Sequence, residues 1–104
     1  MRGMGGMGGM MAQAQRMQAK LQKVQEEIKK MEIPGEAGNG AVKVVVNGQH
    51  RVLNVTIAPE AMDPEDPEML EDLVTLAINN AFETLDRITE ERMRAAVPLP
   101  AGMK

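Results

Sequence analysis

The sequence predicts an α+β fold: a long N-terminal helix, an antiparallel β-hairpin with room for a third short strand, and a long C-terminal helix. Three observations carry this. Apolar residues at Met10, Ala14, Met17, Leu21, Val24, Ile28 and Met31 step by 4, 3, 4, 3, 4 and 3. That is an a/d seam held for three heptads, with no proline or glycine inside it. A β-branched run, Ala41–Val46, meets Asn47-Gly48, the strongest short-range hairpin signal in the chain, and is followed by a second strand pattern over Gln49–Ala58. Leu70, Leu73, Val74, Ala77, Ala81, Leu85 and Ile88 then recur at helical spacing.

Taken in order, residues 1–9 read MRGMGGMGG. Glycine raises the cost of order, so this stretch is expected to be a flexible Met/Gly tail. The first helix is expected to start near Met10 and to run to about Lys30 or Glu32. Ile33-Pro34-Gly35 ends it, because a residue before proline avoids the α region and glycine accepts the positive φ of a turn. Met31–Ala37 is open as a short strand, which Pro34 confines to an edge. Gly38-Asn39-Gly40 is a turn. Asn47-Gly48 favours a type I′ turn. Val42, Val44 and Val46 share one strand face, and Leu53, Val55 and Ile57 alternate with Val52, Asn54 and Thr56. A lone hairpin of this kind is marginal in water and needs a helix or another chain's strand to cover it. His50, the single histidine, has no companion ligand or nucleophile nearby and reads as an exposed turn residue.

The connector Pro59–Pro67 is acidic. Asp63, Glu65, Asp66 and Glu68 lack the glycine and the bidentate glutamate position of a calcium loop. They read instead as helix initiation: Asp63 or Asp66 caps, and Pro64 or Pro67 takes the first helical position. The second helix spans about Pro67 to Ala96, with Leu76, Ile78 and Phe82 widening its apolar surface. A helix apolar on more than one side has more than one partner. Pro98 and Pro100 stop it, and residues 98–104 are expected to be a flexible tail. Residues 10–97 thus form a single domain.

Composition narrows the function. The chain holds eleven methionines and one aromatic residue, Phe82. Methionine is flexible and specifies packing poorly, which points to an oligomer that shares its core. Helices of about 32 Å and about 45 Å also overhang strands of about 23 Å, so the overhangs need each other or a second copy. A symmetric dimer with a shared sheet and helical arms covers every apolar face. There is no cysteine, hence no disulfide framework and no thiolate metal site. No apolar run approaches the roughly 18 residues of a membrane span, and no apolar leader is evident. No glycine-rich phosphate loop, paired histidines or isolated carboxylate pair is present. The expectation is a non-enzymatic protein with no cofactor, no metal and no small-molecule substrate.

The net charge is −3, yet the charge is polarised. Residues 1–31 carry six bases and two acids, giving +4, while residues 59–73 carry seven acids and no base, giving −7. Arg16, Lys23 and Lys30 lie seven apart on one face of the first helix, with Lys20 beside them. The bland reading is a solvated face. The functional reading is a phosphate-contacting ridge in which Arg16, Lys20, Lys23 and Lys30 act directly and Lys29, Arg92 and Arg94 assist. No recognition helix with base-reading residues at its start is evident, so sequence preference should be weak.

Met11-Ala12-Gln13-Ala14-Gln15-Arg16-Met17-Gln18 with Gln25-Glu26-Glu27, the strand end Val44-Val45-Val46-Asn47-Gly48, and Met69-Leu70-Glu71-Asp72-Leu73-Val74 with Ala77 and Asn79 form an ordered set. Together with the ending Leu99-Pro100-Ala101-Gly102-Met103-Lys104, the set resembles the YbaB/EbfC family of bacterial nucleoid-associated proteins over about residues 4–104. The resemblance implies an α/β homodimer with tweezer-like protruding helices that binds double-stranded DNA with low sequence preference. It also implies a cytoplasmic, nucleoid location and a role in nucleoid organisation or gene regulation. It transfers no site residue, so the basic-residue assignments rest on the helical stripe. The competing expectation is a protein–protein adaptor that uses the Met-rich helix as a plastic docking surface.

Overall fold

The computed structural model describes residues 2–97, with side chains from Gly9 onward. Its elements are α1 (Arg2–Lys29), β1 (Glu32–Ala37), β2 (Val42–Asn47), β3 (Val52–Ile57), a 3₁₀ turn (Pro59–Ala61) and α2 (Pro67–Ala96). The strands form one antiparallel sheet in the order β1-β2-β3. The α+β class and the third strand are both present. β1 is an edge, as Pro34 requires.

The core is one face of β1 and β2 against one face of α2. Val42, Val44 and Val46 alternate into it, joined by Ile33 and Ala37 and by Ala77, Ala81 and Leu85 of α2. Gly35 lets β1 pass close to the helix: a β-carbon there would lie 2.5 Å from the Ala77 carbonyl oxygen and 2.6 Å from the Ala81 β-carbon. The edge carbonyl of Glu36 is satisfied by Asn80 Nδ2 at 2.9 Å. At the start of α2, Asp66 is the N-cap and accepts from the Met69 N–H, with Pro67 at the first helical position. The acidic connector therefore initiates the helix. Asp63 makes a local turn, accepting from the Glu65 N–H at 2.9 Å.

Two expectations are corrected. Helix α1 begins at Arg2, upstream of Met10. Extending an existing helix needs no new nucleus, so the glycines before Met10 cost it only propensity, at about 1 kcal/mol each relative to alanine. The tail expected over residues 98–104 lies outside the described residues. The second correction concerns the turns. The type I′ geometry belongs to Asn39-Gly40, where φ is +55° and +86° and Ala41 N–H donates to the Gly38 carbonyl.

Asn47-Gly48 opens a longer connection instead. His50 N–H donates to the Asn47 carbonyl, Asn47 N–H donates to Arg51, and His50 takes the positive φ of +62°. Asn47 Oδ1 braces it by accepting from the Gln49 and Arg51 N–H groups at 2.9 and 3.1 Å. Gly48 serves another purpose: a β-carbon there would overlap the Ile28 carbonyl, so its absence lets the hairpin tip seat on the end of α1.

The chain is far from a compact ball. Its radius of gyration is 21.2 Å and its long axis 79 Å, against about 13 Å for the radius of a compact chain of this length. Ile28 is buried and Val24 and Met31 pack on the core, so the C-terminal half of the α1 seam lies against the rest of the molecule. Met10 and Met17 further up are exposed. On the sheet, α2 covers β1 and β2, while Val52, Leu53 and Val55 of β3 stay exposed, as do Met69 and Leu76 of α2.

Candidate nucleic-acid interface

The seam that anchors α1 also aims its charges. With Val24 and Ile28 facing the core, the residues two positions on from the seam point outward, because successive helix positions turn by about 100°. Arg16, Lys20, Lys23 and Lys30 are all exposed. Among the described residues none of the four is in an ion pair. Lys30 sits one residue beyond α1, held by its N–H to the Glu27 carbonyl at 3.2 Å.

The three assisting residues differ. Lys29 Nζ pairs with Glu26 at 3.5 Å, and Arg94 pairs with Glu90 one turn back on α2. Arg92 reaches across to Glu27 of α1 at 3.9 Å and so ties the two helices together. Exposed pairs of this kind are each worth at most about 1 kcal/mol, but each acid offsets the field of its cation. Arg92 nonetheless joins the ridge in space. Lys20, Val24, Arg92 and Ala96 line one shallow cleft between the helices, and Gln13, Arg16, Met17 and Lys20 line the next along it. The structure therefore gathers Arg16, Lys20 and Arg92 into a single cationic surface along α1, with Lys23 and Lys30 continuing on α1 itself. Lys29 and Arg94 are left with acids at their sides.

The acidic connector does not intrude on this ridge, and the acid that stands on it, Glu27, is the one paired with Arg92. The segment from Glu60 to Asp72 begins beyond β3 and occupies the start of α2, where Leu73 lies against Gly38. The other end of α2, at Arg92 and Ala96, meets Lys20. The two charge poles are thus about 35 Å apart along the α2 axis, several Debye lengths at physiological ionic strength. A net charge of −3 therefore does not suppress the local positive field.

His50 is an exposed turn residue, as its sequence context predicts, but its contacts with α2 were not foreseen. Its ring stacks on Phe82 at 5.5 Å between centroids, and Nε2 lies 3.4 Å from Asp86 Oδ1. It braces the hairpin tip against α2 beside Lys29 and Gln25. The signal available in the sequence was the placement of histidine three residues after an asparagine at a turn, a position that tolerates positive φ.

Fold and surface together define a class: a helix-armed α+β protein with a three-stranded sheet and a cationic edge on its projecting helix. The chain belongs to the YbaB/EbfC DNA-binding family, whose family model matches residues 4–98. That family is defined by DNA binding and not by an enzymatic activity. Among solved structures, an uncharacterized protein from Helicobacter pylori, HP0035, is similar in fold at a TM-score of 0.64 and 20% identity, over 82% of this chain and 86% of that one. Among the described residues no helix is long and apolar enough to cross a membrane.

Proposed function

We propose that the chain is a homodimeric, nucleoid-associated protein that binds duplex DNA through its backbone, with low sequence preference and a role in organising the nucleoid and regulating genes from within the cytoplasm. The observation that carries the reading is the row Arg16, Lys20, Lys23 and Lys30, exposed and without acidic partners among the described residues. Seven residues of helix rise about 10.5 Å, about three base-pair steps of 3.4 Å. The stripe from Arg16 to Lys30 rises about 21 Å, long enough to reach several phosphates of one strand. Such contacts fix position without reading bases.

Two observations favour the homodimer. Among the described residues β3 is an uncovered sheet edge with no proline or lysine in it, which is a pairing hazard unless something covers it. Beside it, Val52, Leu53 and Val55 are 40–50% exposed, as are Met69 and Leu76 on the side of α2 that the chain's own sheet leaves open. A second copy seated on β3 and α2 covers both and sets two arms on one two-fold axis. Two grips on one polyanion multiply through effective concentration.

The test is fluorescence anisotropy on a random-sequence duplex across a salt series, with mass measured in parallel. Dimers whose affinity falls steeply with salt support the reading; a salt-independent affinity refutes it. Leu76→Asp should yield monomers that bind DNA more weakly with about half the salt slope.

A further inference from the structure

Among the described residues, an apolar stripe on α1 is left over after the sheet and α2 are covered. Helix α2 stops at Ala96, level with Gln13, Arg16 and Met17 of α1. α1 continues past that level to Arg2. Its seam changes state there: Ile28 is 5% exposed and Val24 packs on the core, whereas Met17 is 37% and Met10 73% exposed. The stripe is the same; only the facing helix has ended.

We propose that the bare stretch Met10–Met17 docks on the same stretch of α1 from a second dimer, so that dimers join arm to arm and do so most strongly on DNA. The inference rests on the dimer reading above. Three features argue for a second copy as the occupant. The 4, 3 spacing that seats Val24 and Ile28 against α2 runs on unbroken through Met17, Ala14 and Met10, so the bare part presents knobs for a helix. Its nearest flanks, Gln13 and Gln18, are uncharged, so a copy meets like charge only at Arg16 and Lys20. Methionine side chains adapt to one another without a preset fit.

The same features explain why DNA strengthens the pairing. Joining two arms brings Arg16 and Lys20 of one near those of the other, a like-charge cost in the free protein. Phosphates between the ridges remove it. The patch holds four apolar residues per copy, Met10, Met11, Ala14 and Met17, well short of the roughly 1,200 Å² that a stable interface buries. The contact is therefore weak on its own, forms through pairs of arms, and makes DNA bridging a consequence of DNA binding. Linkage requires the converse as well: paired arms bind DNA more tightly.

Sedimentation of the full chain with and without a random 30-base-pair duplex tests this. The expected result is dimers alone, and four protomers per complex when DNA is present at excess protein. Met10→Gln with Met17→Gln should keep the free dimer and its salt slope on DNA while raising the dimer–dimer dissociation constant at least about tenfold, since burying a methionine side chain is worth more than that factor. Met10→Cys, in a chain otherwise without cysteine, should form a disulfide between dimers under mild oxidation, faster with duplex than without. Any of four results overturns the proposal: no species above the dimer on DNA, four-protomer complexes that persist in the double variant, a double variant that becomes monomeric, or pairing that appears only after residues 98–104 are deleted. The third would make the seam the dimer interface itself, and the fourth would make the chain's own C-terminal segment its cover. Failure of the dimer reading is distinct, because it shows as free monomer in the unmodified protein before DNA is added.

Discussion

Replacing Lys23 with glutamine isolates the electrostatic argument. Lys23 is exposed on α1 with no ion pair among the described residues, so its loss should shift stability by no more than about 0.5 kcal/mol. Its effect on DNA should be large. Four contacts per protomer, from Arg16, Lys20, Lys23 and Lys30, make eight per dimer. At about 0.9 counterions released per contact, log K falls with log salt at a slope of about −7. Lys23→Gln removes two of the eight and should bring the slope to about −5.4. Extrapolated curves for the two proteins should meet near 1 M salt and separate by about 60-fold at 0.1 M. Anisotropy titrations on one random duplex at five salt concentrations measure both quantities. Arg94→Gln is the matched control, since Arg94 is already paired with Glu90, and its slope should stay within about half a unit of the parent. The reasoning fails if Lys23→Gln leaves the slope unchanged, or if Arg94→Gln lowers it as much.

Three further outcomes test the scaffold that holds the ridge. Gly48→Ala places a β-carbon on the Ile28 carbonyl, so thermal unfolding should show a loss of about 1–3 kcal/mol as the hairpin tip is forced off α1. A variant as stable as the parent would mean that the tip does not seat there. Leu85→Ala opens a cavity at a fully buried site and should cost about 2–5 kcal/mol by denaturant titration, a large share of the stability of so small a domain. Asp66→Ala removes the N-cap of α2 and should cost about 1 kcal/mol, with little change in DNA affinity because the cap lies at the acidic pole.

Much of the fold was legible in the chain because local rules and tertiary packing agree. The α2 bounds follow from a capping aspartate, a proline at the first helical position and an apolar stripe, all of which act within a turn or two of where they stand. Pro34 marked β1 as an edge for an equally local reason, its missing N–H. The turns were harder. Two Asn-Gly pairs, at residues 39–40 and 47–48, carry the same local preference, but only the first takes the type I′ form. At the second, Asn47 Oδ1 holds a longer connection, and Gly48 lies against the end of α1. A contact between residues 28 and 48 has no local signature.

The candidate ridge divides in the same way. Seven-residue spacing by itself placed Arg16, Lys23 and Lys30 on one side of a helix, since periodicity is a property of the chain. Spacing could not say that Lys29 and Arg94 would be answered by Glu26 and Glu90, or that Arg92 would cross to Glu27 while joining Lys20 at the helix cleft. Nor could it say where the seam stops being covered. What the sequence determined was which residues share a face; what only the tertiary structure decided was which faces meet. The first depends on backbone geometry repeated every few residues, the second on where one helix ends beside another.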